Sequence, residues 1–554
     1  MSEIRQLTSH LLLVQFGGKD TKNTKKWTTF SHNGVVFAPL YIPHNIPIKY
    51  DGVKKTLPPL AEEYATLYAK YIGSEYAKHK SFSKNFFKSW KSSIKGLGIE
   101  RMDLCNFDDI IKYLDSVKAR KLSMTKEEKD LAKEEANVEE EKYKTAMVDG
   151  VVQPVGNFKL EPPGIFIGRG CHPKIGTIKP RIEPKHVTIN LSKGVPTPSL
   201  PNFYKGEKYK KIVNNNKAEW LASWKDNING KVKYVWLGNK SNLKAKSDQE
   251  KYDKARKLGK HINKVRRINN SNLTDSNQQT RQLATALYFI DNLALRVGNE
   301  KGDDEADTVG VTSLRWEHIT LKGNRKVKLD FLGKDSIRYV NEVQVDNQIY
   351  ENLTEFLSGK KRHDSLFELI NSAELNAYIK TLIPDFTAKV FRTFNASKTF
   401  QDEITIINEK YKNYNKSDKL DMLLSSYNTA NAKVAMLCNH QKNVSKGYEE
   451  AMKKIVDRMK EYKKQITDLL EDDSAKSKKK IKKIKEQVKK YKMKKEAKME
   501  LKNISLGTSK TNYIDPRISV AFLKMHDIPV EKVFSQALRD KFFWAFEVDK
   551  DFMF

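Results

Sequence analysis

Two arginines, a lysine, an imidazole and a phenol stand out in this chain, each in a distinctive local sequence: Arg296, Arg392, Lys334, His440 and Tyr513. Singly, none of them argues for an enzyme. Arg296 closes Leu293-Ala294-Leu295-Arg296-Val297-Gly298, a helix end running into a loop, where the helix dipole alone favours a cation. Lys334 falls in Leu332-Gly333-Lys334-Asp335-Ser336, which reads as a hairpin turn, and exposed turn lysines are common. Arg392 lies on the apolar helix face of Lys389-Val390-Phe391-Arg392-Thr393, where a guanidinium needs a partner or a ligand. His440, in Leu437-Cys438-Asn439-His440-Gln441, has the setting of a core histidine. Tyr513 follows Ser509-Lys510-Thr511-Asn512, just beyond a long basic run.

Together they fit one chemical problem, reversible attack on a DNA phosphodiester. The pentacoordinate state gathers negative charge on the nonbridging oxygens. Fixed guanidinium groups and an imidazole N–H aimed at those oxygens are each worth on the order of 10²–10³ in rate. A phenol with an ordinary pKa of about 10 is ionised about once in a thousand at neutral pH. It therefore needs cationic neighbours or a proton acceptor to become a nucleophile. The leaving 5′ oxygen needs a proton, and a lysine can donate it. Such a site calls for neither metal nor ATP. The sequence has no metal-ligand spacing among its 11 histidines and 3 cysteines and no Gly-x4-Gly-Lys-Ser/Thr loop, so no cofactor and no metal are expected.

The composition points to the same partner. With 102 Lys and Arg against 69 Asp and Glu, the chain carries +33, which suits a polyanion, nucleic acid before membrane. Hydrophobic residues at 39% and aromatics at 10% argue for a folded protein and against a disordered basic tail. Cys105, Cys171 and Cys438 are odd in number and far apart, which fits neither a disulfide framework nor a zinc site. No apolar run approaches membrane-spanning length, and the expected protein is soluble and intracellular.

The elements that must position these groups fall into blocks. Residues 1–26 read as a lead-in. A short strand is expected at 35–39 and helices over 61–78, 82–93 and the charged stretch 115–145. Gly- and Pro-punctuated strands follow, at 187–191 and 233–237. Gly238-Asn239-Lys240-Ser241-Asn242 is a hinge candidate, after which a helix over 284–296, a hairpin over 327–345 and further helices up to His440 are expected. Between 443 and 503, Met452, Ile455, Met459, Tyr462, Ile466 and Leu469 recur at three and four residues, as do Ile481, Ile484, Val488 and Tyr491. That pattern is two antiparallel helices zipped along a narrow apolar seam. This block holds 21 Lys/Arg and 11 Asp/Glu, net +10, so it is either a solvated spacer or a DNA-steering element.

Several blocks resemble eukaryotic-type DNA topoisomerase IB. They are Leu295-Arg296-Val297-Gly298-Asn299-Glu300-Lys301, Phe331-Leu332-Gly333-Lys334-Asp335-Ser336-Ile337-Arg338-Tyr339, Val390-Phe391-Arg392-Thr393-Phe394-Asn395-Ala396-Ser397, Leu437-Cys438-Asn439-His440-Gln441 and the stretch from Ser509 to Arg517. In the front half, Phe158-Lys159-Leu160-Glu161-Pro162-Pro163-Gly164 and Gly168-Arg169-Gly170-Cys171-His172-Pro173-Lys174 join them. The resemblance implies an α+β multidomain clamp. A mixed α/β DNA-binding cap (27–238) closes on a mainly helical catalytic core with a β-hairpin region (239–442). An antiparallel coiled-coil linker (443–503) leads to a small helical C-terminal domain with the tyrosine (504–554). It further implies that Tyr513 forms a 3′-phosphotyrosyl link while Arg296, Arg392 and His440 hold the phosphate and Lys334 protonates the leaving oxygen. Supercoils of both signs then relax by rotation of the free end. Arg181, Asp335, Asn512, Lys174 and Arg169 match positions near bound DNA, Asp335 and Asn512 where camptothecin-type inhibitors stack.

The implied partner is double-stranded DNA, held by its phosphates with little sequence preference by a monomeric clamp. Nuclear members usually begin with a long charged region, whereas little precedes the cap here. The expected compartment is the nucleus, or a viral replication site, with 476–483 as a candidate import signal. Cys171 stands where many members have Asn, and Phe394 where Tyr is usual. Two rival readings remain at this point. A tyrosine recombinase uses the same residue types, although its usual His-x-x-Arg box reads Lys389-x-x-Arg392 here. A DNA clamp that has lost its chemistry would keep the charge and the fold.

Overall fold

The computed structural model describes residues 24–302, 305–416, 418–442, 444, 447–471 and 474–554. The lead-in expected over 1–26 lies, up to residue 23, outside the described residues, as do Asp472 and Asp473 of the expected linker turn. The architecture is mixed α/β, with long helices in the second half and, among the described residues, five small sheets.

The front half is built on two cores. One is enclosed by a four-stranded sheet, in the spatial order Lys211–Val213, Thr188–Asn190, Trp220–Lys225, Val232–Trp236. With the three strands Phe30–His32, Thr145–Val148 and Val151–Pro154 it surrounds Trp27, Phe30, Val187, Ile189, Leu221 and Val235. The other packs helices Pro59–Ala69, Lys80–Trp90 and Asp108–Ser123 around Ala61, Phe82, Phe86, Trp90 and Ile110.

The second half carries the candidate site. Buried Ser241 caps helix Asn242–Asn272, accepting from the Lys244 N–H, so the hinge candidate 238–242 runs directly into a helix start. Ala255, Leu258, Ile262 and Val265 recur at three and four residues and face helices Gln278–Leu293 and Ala388–Tyr411. Truncating a fully buried leucine such as Leu258 or Leu287 in that core should cost roughly 2–5 kcal/mol. A further core of Phe400, Tyr427, Phe522 and Phe542 joins helices Ala388–Tyr411, Lys419–Leu437 and Pro516–Met525. The last fifty residues therefore pack directly on the helix that bears Arg392.

The structure departs from expectation at several elements. At 35–39 only Val36 makes a β-bridge, to Lys159, and the strand lies earlier, at Phe30–His32, where Ala146, Met147 and Val148 supply its pairing partners. The helix expected over 61–78 stops at Ala69, and turns carry the chain through Gly73 at φ +82°. The charged stretch 115–145 divides into helices Asp108–Ser123 and Lys126–Glu140, because Thr125 and Glu128 form a capping box that starts a new helix. The hairpin, Lys326–Gly333 paired with Ile337–Gln344, gains a third strand, Ile319–Lys322. The seam appears as read: helices Tyr448–Leu470 and Ala475–Glu500 pack along each other, with Tyr462 and Tyr491 rings 5.6 Å apart.

Candidate active site

A separate local device sets each of the five candidate side chains. Helix Gln278–Leu293 ends in Ala294, left-handed at φ +49°, so Arg296 lies in the following loop and not at the helix end itself. That loop is fixed by backbone contact. A Cβ on Gly298 (φ +87°) would lie 2.7 Å from the Gly310 Cα, the Val311 N–H donates to the Arg296 carbonyl, and the Thr312 N–H to that of Val297. Only glycine allows this approach. Arg392 is embedded in helix Ala388–Tyr411 at 5% exposure, and its guanidinium donates to the carbonyls of Ala294 and Cys438. It thereby ties together the ends of two helices.

His440 follows a helix terminus of recognisable form. Helix Lys419–Leu437 is followed by Asn439 in the left-handed region, the Asn439 N–H donates to the Met436 carbonyl and the His440 N–H to that of Ala435. This pair of bonds is the Schellman arrangement, which asparagine tolerates better than most residues. Tyr513 sits between helices Leu506–Asn512 and Pro516–Met525. Buried Ser397 donates to the Tyr513 carbonyl (2.9 Å) and accepts from the Asp515 N–H (3.0 Å), while Asp515 caps the next helix. Arg517 bonds Asp515 and, at 2.8 Å, Asp253 of the long core helix. The nucleophile candidate is thus held from its backbone on both sides.

These pieces converge. Arg296, Lys334, Arg392 and His440 line one cavity of about 340 Å³, and Arg169 and Asp335 line it too. Tyr513 stands beside two of these side chains: the Arg392 guanidinium lies 5.0 Å from its ring centroid and the His440 ring centroid is 5.0 Å away, while Arg296 is close enough to feel the phenol electrostatically. Burial, then Arg392 and Arg296, hold His440 down to about 3, so the ring is neutral near neutral pH. Burial and Arg392 also draw Arg296 below its usual value, with Tyr513 opposing. Buried donors gathered without carboxylates of their own favour an anion. The Arg392 Nε and the His440 Nε2 have no hydrogen-bond partner among the described residues. Lys334 stands exposed in the hairpin turn, which is left-handed at Asp335 (φ +68°) and Ser336 (φ +57°).

The five further candidates are placed unevenly. Arg169 meets Asp335 in a 2.6 Å ion pair, and Gly170 packs so closely on Ser336 that a Cβ there would lie 2.5 Å from its Oγ. Asn512 is exposed at the end of the helix before Tyr513. Lys174 is half-buried and donates to the Ile228 carbonyl. Arg181 is away from the cavity. It is largely buried in the front half and donates to the carbonyls of Ala38 and Pro39 and to Glu63.

Sequence reasoning missed Ser397 and Ser509. Ser509 is fully buried and its Oγ lies 2.8 Å from the His440 Nδ1. Helix-interior serines give no periodic signal, although Asn439 immediately before the histidine and the Asp515-Pro516 pair were legible as helix-end signals.

Comparison with known proteins covers nearly the whole chain. Residues 25–237 match the family model of the eukaryotic DNA topoisomerase I DNA binding fragment, 240–473 that of its catalytic core and 485–554 the C-terminal topoisomerase domain. DNA topoisomerase 1 of Caenorhabditis elegans is 43% identical over 558 residues, covering 96% of this chain and 68% of the relative. That of Homo sapiens is 40% identical over 560 residues, covering 96% and 72%. DNA topoisomerase 1 beta of Arabidopsis thaliana is 41% identical over 554 residues, and the chain spans 59% of its length.

Proposed function

This chain belongs to the eukaryotic DNA topoisomerase I family, and we propose that it relaxes positive and negative supercoils by transient single-strand cleavage through Tyr513, without ATP or metal. The observation that carries the reading is the phenol flanked by Arg296, Arg392 and His440 beside a cavity that these three and Lys334 line. The scissile phosphate occupies that cavity. The Tyr513 oxygen attacks phosphorus as its proton passes to water, and Arg296 stabilises the developing phenolate. Arg296, Arg392 and the His440 N–H take up the charge that gathers on the nonbridging oxygens. The P–O5′ bond breaks, Lys334 gives its proton to the leaving oxygen and regains one from solvent. A 3′-phosphotyrosyl link and a free 5′-OH result, the DNA end rotates, and the same steps reversed reseal the strand.

In this reading the chain is a monomeric clamp on double-stranded DNA, with a cap at 27–238, a catalytic core at 239–442, a linker at 443–503 and a C-terminal domain at 504–554. The Arg169–Asp335 pair and the Lys231–Glu305 pair (2.6 Å) join front and rear halves and would close it. Asn512 and Lys174 lie on the DNA side, while Arg181 serves first as a strut of the cap through Glu63. The working compartment is the nucleus.

The test is plasmid relaxation in EDTA without ATP, with Tyr513→Phe beside the parent. Both signs should relax, the variant should be inert, and its DNA binding should survive and weaken steeply with salt. Equal relaxation by the variant would sink the reading. No relaxation by the parent despite salt-sensitive binding would favour a lapsed clamp.

A further inference from the structure

We propose that Ser509 is the positioning residue that sets the tautomer of His440, donating its hydroxyl proton to Nδ1 so that Nε2 carries the N–H presented to the phosphate. The inference rests on the phosphoryl-transfer reading above and assigns a second residue to the same site. Its starting point is geometric. Ser509 Oγ and His440 Nδ1 lie 2.8 Å apart, with Ser509 at 0% exposure and His440 at 5%. The other ring nitrogen, Nε2, has no partner among the described residues, and the ring lines the cavity.

A neutral imidazole has one N–H, and the hydrogen bond made by one nitrogen decides which nitrogen bears it. A serine hydroxyl can either donate or accept, so two arrangements are open. If Ser509 accepts from Nδ1–H, Nε2 is left as a lone pair, and a phosphate oxygen brought to it meets acceptor against acceptor. If Ser509 donates, Nε2–H becomes a donor with no partner among the described residues, left for a phosphate oxygen in the cavity that the ring lines. Two features favour donation. Among the described residues the only bond of the Ser509 side chain is to Nδ1, so in the first arrangement its own proton would be buried without an acceptor, which costs about 1–3 kcal/mol. The ring also stays neutral near neutral pH, so it cannot escape the choice by carrying both protons.

The backbone fixes the pair on both sides. Ser509 lies within helix Leu506–Asn512, and its carbonyl accepts from the N–H groups of Tyr513 and Ile514. The His440 carbonyl accepts from the Ser505 N–H, which brings that helix's start to the histidine. One short helix therefore holds the imidazole through the serine at its fourth residue and delivers the phenol at its end.

The experiment reads the tautomer and the rate separately. Full-length protein labelled with ¹⁵N-histidine should show His440, assigned by its loss in His440→Gln, with a proton on Nε2 and a bare Nδ1. Ser509→Ala should convert it to a mixture or to the opposite tautomer. Single-turnover cleavage of a nicked duplex substrate should fall about 10- to 100-fold in Ser509→Ala. In His440→Gln, whose amide N–H needs no tautomer, adding Ser509→Ala should cost less than about twofold. A proton on Nδ1 in the parent would overturn the assignment. So would an unchanged cleavage rate in Ser509→Ala, or an equal loss in the two backgrounds. Failure of the wider reading shows elsewhere, as cleavage that survives Tyr513→Phe.

Discussion

The helix pair at Tyr448–Leu470 and Ala475–Glu500 and the cavity beside Tyr513 are both rich in cations, but they hold them in opposite ways. On the first helix of the pair no described residue is buried, and ion pairs such as Lys454–Glu450 and Arg458–Glu461 stand with both partners at least half exposed. Such pairs contribute little, and the helices are held by their seam. In the cavity Arg392 and His440 are 5% exposed and bonded to backbone carbonyls and a serine, and the Arg392 Nε and His440 Nε2 have no hydrogen-bond partner among the described residues. Solvated charge can be exchanged freely. Buried charge with spare donors is kept at a cost in stability and is therefore the better sign of chemistry.

The contrast breaks most sharply at Arg392. Replacing it by Ala should slow single-turnover cleavage about 10²- to 10³-fold. It should also lower stability by about 1–3 kcal/mol, because the Ala294 and Cys438 carbonyls lose their donor. Lysine should not rescue it, since one ammonium cannot bridge two carbonyls and also lie over the Tyr513 ring. A rate within twofold of the parent would equate this arginine with a linker one.

Gly298→Ala tests whether the Arg296 loop depends on backbone contact. At φ +87° and 2.7 Å from Gly310, the new methyl must push the loop away. Chemical denaturation should show a loss of roughly 2–3 kcal/mol, with cleavage falling too. An unchanged melting curve would show that the loop adjusts freely.

The two arginines, the lysine and the histidine were read as a set with the phenol, and they do line one cavity with Tyr513 near two of them; the helix pair was legible because its seam repeats strictly. The rest was hidden for physical reasons. Nothing in Leu293-Ala294-Leu295 announces that Ala294 turns left-handed, since its carbonyl is held by Arg392, 98 residues away. Ser397 and Ser509 act across 116 and 69 residues of sequence, and no local pattern reports such contacts. The ion pair of Arg181 with Glu63, 118 residues away, is likewise supplied by tertiary packing.

A smaller effect comes from two neutral histidines. Burial lowers His32 to about 4, and burial with the two arginines lowers His440 to about 3, both from 6.5. Below 6.5 the unfolded rings take up protons that the folded rings refuse, so stability is full above that value and falls as pH drops toward 4 and 3. Denaturation at pH 7 and 5 should differ by on the order of 1–2 kcal/mol per ring, and His32→Gln should remove its share. The smallest effect belongs to the helix pair: exchanging Lys454 and Glu450 should change stability by less than about 0.5 kcal/mol. A loss of several kcal/mol there would erase the contrast between the two regions.

The most direct measurement is the identity of the covalent bond. Parent protein incubated with a nicked duplex that cannot reseal, then denatured and digested, should yield a single peptide bearing a nucleotide on Tyr513 through a 3′ phosphate, with a free 5′-OH on the other fragment. Attachment through a 5′ phosphate, attachment at another residue, or no adduct under conditions where the DNA is bound would contradict the account.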